Sequence, residues 1–116
     1  MDLEEFYVLV GGNADEMVAR LGGSEDLVKR FVKKFAEDKT FGSLVDALSK
    51  DDVDVAFRAA HTIKGVAANL GLEHLYAKAV TVTELLRSRN IAEAKNAMPS
   101  LDDEYQKTLA LIAKLH

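Results

Sequence analysis

Three histidines, at positions 61, 74 and 116, are the side chains that can exchange a proton near neutral pH without a perturbing environment. His116 is the last residue, and His74 lies off the apolar stripe of its predicted helix, so we expect both in solvent. His61 lies within a long apolar segment. A neutral imidazole there could act as a nucleophile that accepts a chemical group, or as a ligand for a metal ion.

The apolar residues around His61 predict that it faces away from the protein core. Advancing a helix by about 100° per residue gathers them into one arc, and His61 falls roughly 130° from the centre of that arc. The arc consists of Val53, Ala56, Ala60, Ile63, Ala67 and Leu70. We therefore expect an exposed imidazole rather than a hydrogen-bonded core histidine.

Small and positively charged residues surround His61 on the predicted helix surface. Gly65, one turn later, costs about 1 kcal/mol relative to alanine in a helix interior, and no turn or cap requires it. Its missing side chain would let another macromolecule approach the imidazole. Lys64 and Arg58 lie within one turn of His61 and place two cations near any group attached to the ring. This combination suits a histidine that carries phosphate.

The composition predicts one globular domain over residues 1–116 and excludes several classes of function. There are 15 Lys and Arg against 19 Asp and Glu, and the net charge of −4 disfavours binding to nucleic acid or to an anionic membrane. The absence of cysteine excludes disulfides, thiolate metal sites and cysteine nucleophiles. No apolar run approaches the ~20 residues of a membrane span, and the acidic start does not resemble a signal peptide. We expect a cytoplasmic, free-standing monomer.

The elements that position His61 are predicted to be helices throughout, because apolar residues recur at helical spacing and no segment alternates as a strand. The spacing predicts short helices over about 3–10 and 14–21, then helices over 25–37, 41–48, 53–70, 72–88 and 91–116. The predicted fold is therefore all-α, an antiparallel four-helix bundle with extra short N-terminal helices.

Single residues refine this prediction. Side-chain caps are predicted at Asn13, Ser24, Thr40 and Asn90, and Gly71 is predicted to end the helix that carries His61. Phe31 and Val45 are assigned to the inward faces of their helices. Pro99 predicts a kink or a break in the last helix, because it lacks a backbone donor and clashes with the preceding turn.

Residues 60–71, Ala-His-Thr-Ile-Lys-Gly-Val-Ala-Ala-Asn-Leu-Gly, resemble the signature of histidine-containing phosphotransfer (HPt) domains. The His-x-x-Lys-Gly core at His61, the Asn before Leu-Gly, and Leu75 and Ala79 beyond it all match in register. The motif is confined to these twelve residues, but the resemblance in size and helix order covers essentially the whole chain.

This resemblance implies a phosphocarrier of a two-component phosphorelay. His61 would take a phosphoryl group from the aspartyl phosphate of a receiver domain and pass it to another receiver. The partners would be response-regulator receivers and a hybrid sensor histidine kinase. Lys64 would stabilise the phosphoryl charge. Apart from the resemblance, Arg58 lies three residues before His61, and Arg87 of the following helix could also face the phosphate. The surface that a receiver approaches would consist of Gly65, Thr62, Ala68 and Asn69.

One position departs from the family pattern. Many HPt domains place Gln or Glu on the following helix to hydrogen-bond the imidazole, and that register falls on Thr83 here. Because Thr83 is short, the ring would be oriented through a water molecule or by another residue.

The chain also has neither a phosphate-binding loop nor a kinase glycine-rich loop, so we predict no ATP binding and no autokinase activity. No cofactor is expected in the chain itself, and the receiver would supply Mg²⁺.

Two alternatives remain open at this point. The first is a helical adaptor that docks receiver domains without being phosphorylated; Thr83 favours it, and the intact set of His61, Lys64 and Gly65 argues against it. The second is a histidine-based metal site, which three scattered histidines and the absence of cysteine make a weak hypothesis.

Overall fold

The computed structural model describes all residues, 1–116, and contains seven helices and no strand, which confirms the all-α prediction. The helices are α1 (Leu3–Val10), α2 (Ala14–Arg20), α3 (Glu25–Phe35), α4 (Thr40–Ser49), α5 (Val53–Leu70), α6 (Glu73–Arg87) and α7 (Ile91–Ala113).

Short side chains that accept a backbone hydrogen bond fix where most helices begin. Asn13, Ser24 and Asn90 each accept from the amide three residues later, so these predicted caps are confirmed. The cap predicted at Thr40 is wrong. Thr40 is the first residue of α4, and its amide donates to Asp38 Oδ1 at 2.7 Å, so the stronger carboxylate acceptor takes the role.

The four helices α4 to α7 pack in chain order, each mainly against the one before and the one after it. Connections of only two or three residues join them, which makes neighbouring helices antiparallel. Helix α3 lies against α5 and α7 and closes the remaining side. There Tyr105 of α7 stacks on Phe41 at 4.0 Å between ring centroids and meets Phe35 edge-on. The result is a bundle about 41 Å long with one continuous apolar core.

The inward face of α5 confirms the projection from sequence. Of the six residues assigned to the core arc, Val53 is half-buried and the other five are buried. Ala59 is also buried. Two other inward assignments are wrong, because Phe31 is 42% exposed and Val45 is 47% exposed. Both lie at the edge of the inward stripe of their helices, next to buried residues rather than among them.

Pro99 does not break the last helix. Helix α7 runs from Ile91 to Ala113 with Pro99 inside it, so the predicted break is wrong. Pro99 and Lys95 are both exposed residues, so water can reach the backbone acceptor that the missing amide of Pro99 leaves without a partner.

The N-terminal helices close the end of the bundle where α5 stops. Gly71 ends α5 in the left-handed conformation, with φ at 69°. Gly12 passes so close that any side chain there would collide with the Gly71 carbonyl oxygen. The buried Tyr7 hydroxyl donates to the Leu70 carbonyl oxygen at 2.7 Å, which satisfies a backbone acceptor at the helix end.

Replacing this tyrosine tests how firmly α1 holds the end of α5. We expect Tyr7→Phe to lower the free energy of unfolding by about 1–3 kcal/mol, because the buried Leu70 carbonyl loses its donor. A denaturant melt measures this, with Tyr76→Phe as the control, since the Tyr76 hydroxyl is not among the side-chain donors of the structure.

Ionisation of Tyr7 should make the free energy of unfolding depend on pH. Burial raises the pKa of Tyr7 from 10.0 to about 12, although the nearby positive charge of Arg20 lowers it in part. The unfolded chain therefore releases this proton first, and wild-type stability should fall between about pH 10 and 12. Tyr7→Phe should lack this component of the fall. Parallel pH profiles of the two proteins would contradict the assignment.

Candidate functional site

His61 lies midway along α5, on the face turned away from the core, and its side chain is exposed. The exposed position expected from the sequence is therefore found. The next residue, Thr62, is also exposed, but its hydroxyl donates to the Arg58 carbonyl oxygen at 3.0 Å within the same helix. The hydrogen bonds around the site leave both His61 ring nitrogens free to meet a group from outside the protein.

Gly65 leaves open space beside His61. A Cβ atom built on Gly65 would have no heavy atom of another element within 4 Å, and the residue is exposed. The glycine therefore does not serve close packing between helices. Ala68 and Asn69 continue the same surface toward the end of α5, the first half-buried and the second exposed. A partner surface can thus come within contact distance of the α5 backbone.

The two cations of α5 flank His61 on opposite sides. In helical projection Arg58 lies about 60° to one side of His61 and Lys64 about 60° to the other. Neither takes part in the ion pairs of the structure, which join other residues. Both positive charges are therefore available to an anion attached to the imidazole, at the ~5–6 Å typical between side chains one turn apart.

Phe57 lies against the His61 ring. The two ring centroids are 5.8 Å apart and the planes are inclined by 25°, which is an offset stack. The two residues are four apart on α5, and helical side chains point back toward the preceding turn, so the sequence places them in contact. Sequence analysis gave Phe57 no role.

Arg87 contacts Phe57 rather than standing free over His61. Its guanidinium carbon lies 4.9 Å from the centroid of the Phe57 ring. Its Nε donates to both carboxylate oxygens of Glu84 at 3.3 Å. Arg87 therefore comes from α6 to the edge of the site, held by one acidic and one aromatic partner.

Thr83 does not reach His61 with its hydroxyl. It is fully buried, and its Oγ1 donates to the Ala79 carbonyl oxygen at 2.7 Å. Because the hydroxyl proton is used inside α6, Thr83 cannot also donate it to the imidazole. As expected from its short side chain, Thr83 makes no hydrogen bond to the imidazole, and the aromatic ring stacked on His61 is that of Phe57.

An exposed aromatic residue of a second helix adjoins the same surface. Phe31 of α3, together with Val66 and Asn69 of α5, borders a shallow depression of about 230 Å³. One cation and one carboxylate, Lys34 and Asp38, also line it. Sequence reasoning missed this part of the surface because it placed Phe31 in the core.

The C-terminal end of α5 is held by a residue that sequence analysis also missed. Arg20 donates to the carbonyl oxygens of Ala68 at 3.0 Å and Asn69 at 3.4 Å. A cation at this end satisfies unpaired carbonyls and complements the helix dipole. The α5 surface is thus fixed in place beyond His61.

The other histidines lie apart from this surface. His74 is exposed at the start of α6 with its ring against Gly11, and His116 lies among the basic residues of α3. The structure contains no group of three or more His, Asp or Glu side chains arranged to hold a metal ion. None of its helices is both long enough and apolar enough to cross a membrane.

Comparison with known proteins identifies the family. Searches among curated protein sequences and among solved structures give no match. The family model described as "Hpt domain" matches residues 26–111, which include all of α4, α5 and α6 and most of α3 and α7. This match covers most of the chain and contains His61 on its exposed helix face. The chain therefore belongs to the Hpt domain family, whose members carry phosphoryl groups on histidine in phosphorelays.

Proposed function

We propose that this protein is a phosphocarrier in which His61 accepts a phosphoryl group from the aspartyl phosphate of one receiver domain and passes it to another. The observation that carries the proposal is the exposed imidazole of His61 beside the open surface at Gly65. Membership of the Hpt family supports the class of reaction. The residue, the partners and the direction of transfer are the proposal.

The reaction needs little covalent chemistry from this chain. The lone pair of one neutral ring nitrogen of His61 forms a bond to phosphorus, while the other ring nitrogen keeps its proton. The bond between phosphorus and the aspartyl oxygen breaks, and the electron pair leaves with the carboxylate. Transfer to the second receiver reverses these steps on a new carboxylate. The chain's task is to present the nitrogen in line with the breaking bond.

The charges on α5 suit the phosphorylated form. A phosphoryl group brings negative charge to an exposed helix face where Arg58 and Lys64 have no acidic partner. These cations would attract the group without having to leave another ion pair. We propose that the receiver provides Mg²⁺ and the acidic pocket, and that a hybrid sensor histidine kinase starts the relay, so this chain needs no ATP site.

The surface around His61 combines apolar and charged residues that a receiver domain could contact. Gly65 gives access to the backbone, Phe31 offers an apolar contact at the side, and the oppositely charged Lys34 and Asp38 lie beside Phe31. We propose that Thr62, Ala68 and Asn69 lie within the contact area. The unpaired cations Arg58 and Lys64 beside His61 favour a partner whose phosphorylated aspartate stands among other acidic groups.

Transfer from a phosphorylated receiver separates this function from that of an adaptor that only docks receivers. A panel of receivers, charged with radiolabelled acetyl phosphate, is mixed with the protein and resolved on a gel. We expect an acid-labile, alkali-stable label on the protein with at least one receiver, as for phosphohistidine. Binding of a receiver without any label across the panel would support the adaptor instead.

Lys64 gives a more specific prediction about the site. We expect Lys64→Ala to slow phosphoryl transfer or shorten the lifetime of the phosphohistidine, because the phosphoryl group loses a neighbouring cation. The free energy of unfolding should change by less than about 0.5 kcal/mol, as for most surface substitutions.

Transfer reactions quenched at successive times measure the rate of phosphoryl transfer. Loss of label from the isolated phosphoprotein over time measures the lifetime of the phosphohistidine. Lys78→Ala is the matched control, because Lys78 is an exposed lysine of α6 without an ion pair. Unchanged kinetics together with an unchanged lifetime in Lys64→Ala would remove Lys64 from the site.

A further inference from the structure

In-line attack needs a fixed orientation of the His61 ring, and no hydrogen bond of the structure fixes it. The lone pair of the attacking nitrogen lies in the ring plane, so the plane decides whether the attack is in line. The torsion that turns an imidazole about its Cβ–Cγ bond has a broad energy profile, and an exposed ring without a partner would rotate widely. No side-chain hydrogen bond of the neighbouring residues reaches the ring.

The only aromatic partner of His61 is Phe57, which covers part of one imidazole face at 5.8 Å between centroids. Phe57 is itself half-buried, so its ring cannot turn away freely into solvent. The guanidinium carbon of Arg87 lies over the Phe57 ring, 4.9 Å from its centroid. Arg87 in turn pairs with Glu84, one turn earlier on α6. The four side chains form a continuous row from α6 to the imidazole.

We propose that Phe57 is a positioning residue that sets the plane of the His61 ring, and that Arg87 acts on the site through Phe57 rather than on the phosphoryl group. This inference rests on the proposed function of His61. It gives the chain a way to orient the imidazole, to which Thr83 makes no hydrogen bond, since the Thr83 hydroxyl donates to the Ala79 carbonyl.

Nuclear magnetic resonance tests the stack without any phosphate. The Phe57 ring current should shift the two carbon-bound ring protons of His61 away from their positions in an unstacked imidazole. We expect Phe57→Leu, which keeps apolar volume, to remove this shift, and Phe57→Tyr, which keeps the ring, to retain it. Identical His61 signals in wild type and Phe57→Leu would overturn the proposal, whatever the activity of the protein.

Transfer rates from a phosphorylated receiver test the consequence. We expect Phe57→Leu to accept phosphate about tenfold more slowly, less than the ~10²-fold cost of a 1 Å misplacement of a reacting group. Phe57→Tyr should restore the rate. Thermal melts of both variants check that each of them is folded. A wild-type rate in Phe57→Leu would overturn the proposal, whereas no labelling of wild type would overturn the proposed function itself.

A double-variant comparison decides how Arg87 acts. Arg87→Ala alone should slow acceptance about two- to fivefold, in proportion to an exposed cation–π contact. In the Phe57→Leu background, Arg87→Ala should not slow acceptance further, because the ring through which Arg87 acts on His61 is absent. An equal slowing in both backgrounds would show that Arg87 acts on the phosphoryl group directly. Arg89→Ala is the control, since Arg89 pairs with Asp54 outside the row.

Discussion

His61→Gln should accept no phosphate from any receiver, while the folded domain stays intact. Glutamine has no nitrogen lone pair that can form a phosphoramidate under these conditions, so the loss should be complete rather than partial. The side chain is exposed and off the core face, so the free energy of unfolding should change by no more than about 0.5 kcal/mol. A transfer gel and a thermal melt of the same sample give both results.

His74→Gln is the matched control for this variant, because His74 is exposed on another helix, away from the His61 surface. It should accept phosphate as wild type does. Residual acid-labile label on His61→Gln would place the phosphorylated residue elsewhere. A large fall of its thermal midpoint would mean that His61 contributes to packing, contrary to its exposure.

Substitutions that add a side chain at Gly65 should not destabilise the isolated domain, but a long side chain there should impair phosphoryl transfer. Gly65→Ala should raise the free energy of unfolding by up to about 1 kcal/mol, because alanine loses less backbone entropy in a helix and its Cβ meets open space. Gly65→Gln should leave the isolated domain folded but strongly impair transfer, since a long side chain would stand between His61 and the receiver.

Gly42 of α4 is the matched control, because a Cβ there also meets no neighbouring atom. Gly42→Ala should stabilise in the same direction, and Gly42→Gln should transfer normally. Denaturant melts and the receiver assay are run on all four variants. A loss of more than about 1.5 kcal/mol in Gly65→Ala would indicate overpacking and an inward-facing glycine. Normal transfer by Gly65→Gln would show that the receiver does not need this space.

The seven helices and the exposed position of His61 were predictable because each depends on the spacing of apolar residues within a single helix. A fixed advance per residue is enough to separate the core arc of α5 from His61. The open space at Gly65 followed from a similar argument, since an unneeded glycine in a helix interior has a cost that some other requirement must offset. Caps such as Asn13 and Ser24 are also local, and they form as predicted.

Relations between different helices were not predictable in this way. Phe31 and Val45 lie next to the inward stripes of their helices, and only the lengths and angles of neighbouring helices decide that they remain exposed. The contact of Arg87 with Phe57 joins α6 to α5 and has no sequence signal. Thr83 aligned with a family position, but burial made its own helix carbonyl the nearest acceptor.

The packing of α4 to α7 in chain order has a consequence for how quickly the protein can fold. Each of these helices finds its main partner across a connection of two or three residues, so little loop-closure entropy opposes the contact. Proteins with such local contacts have low contact order and fold in microseconds to milliseconds. The contacts of the N-terminal segment span much longer stretches of chain, among them Tyr7 with Leu70, Arg20 with Ala68, and Met1 with Lys114. The helix that presents His61 can therefore form and pack before the N-terminal segment docks.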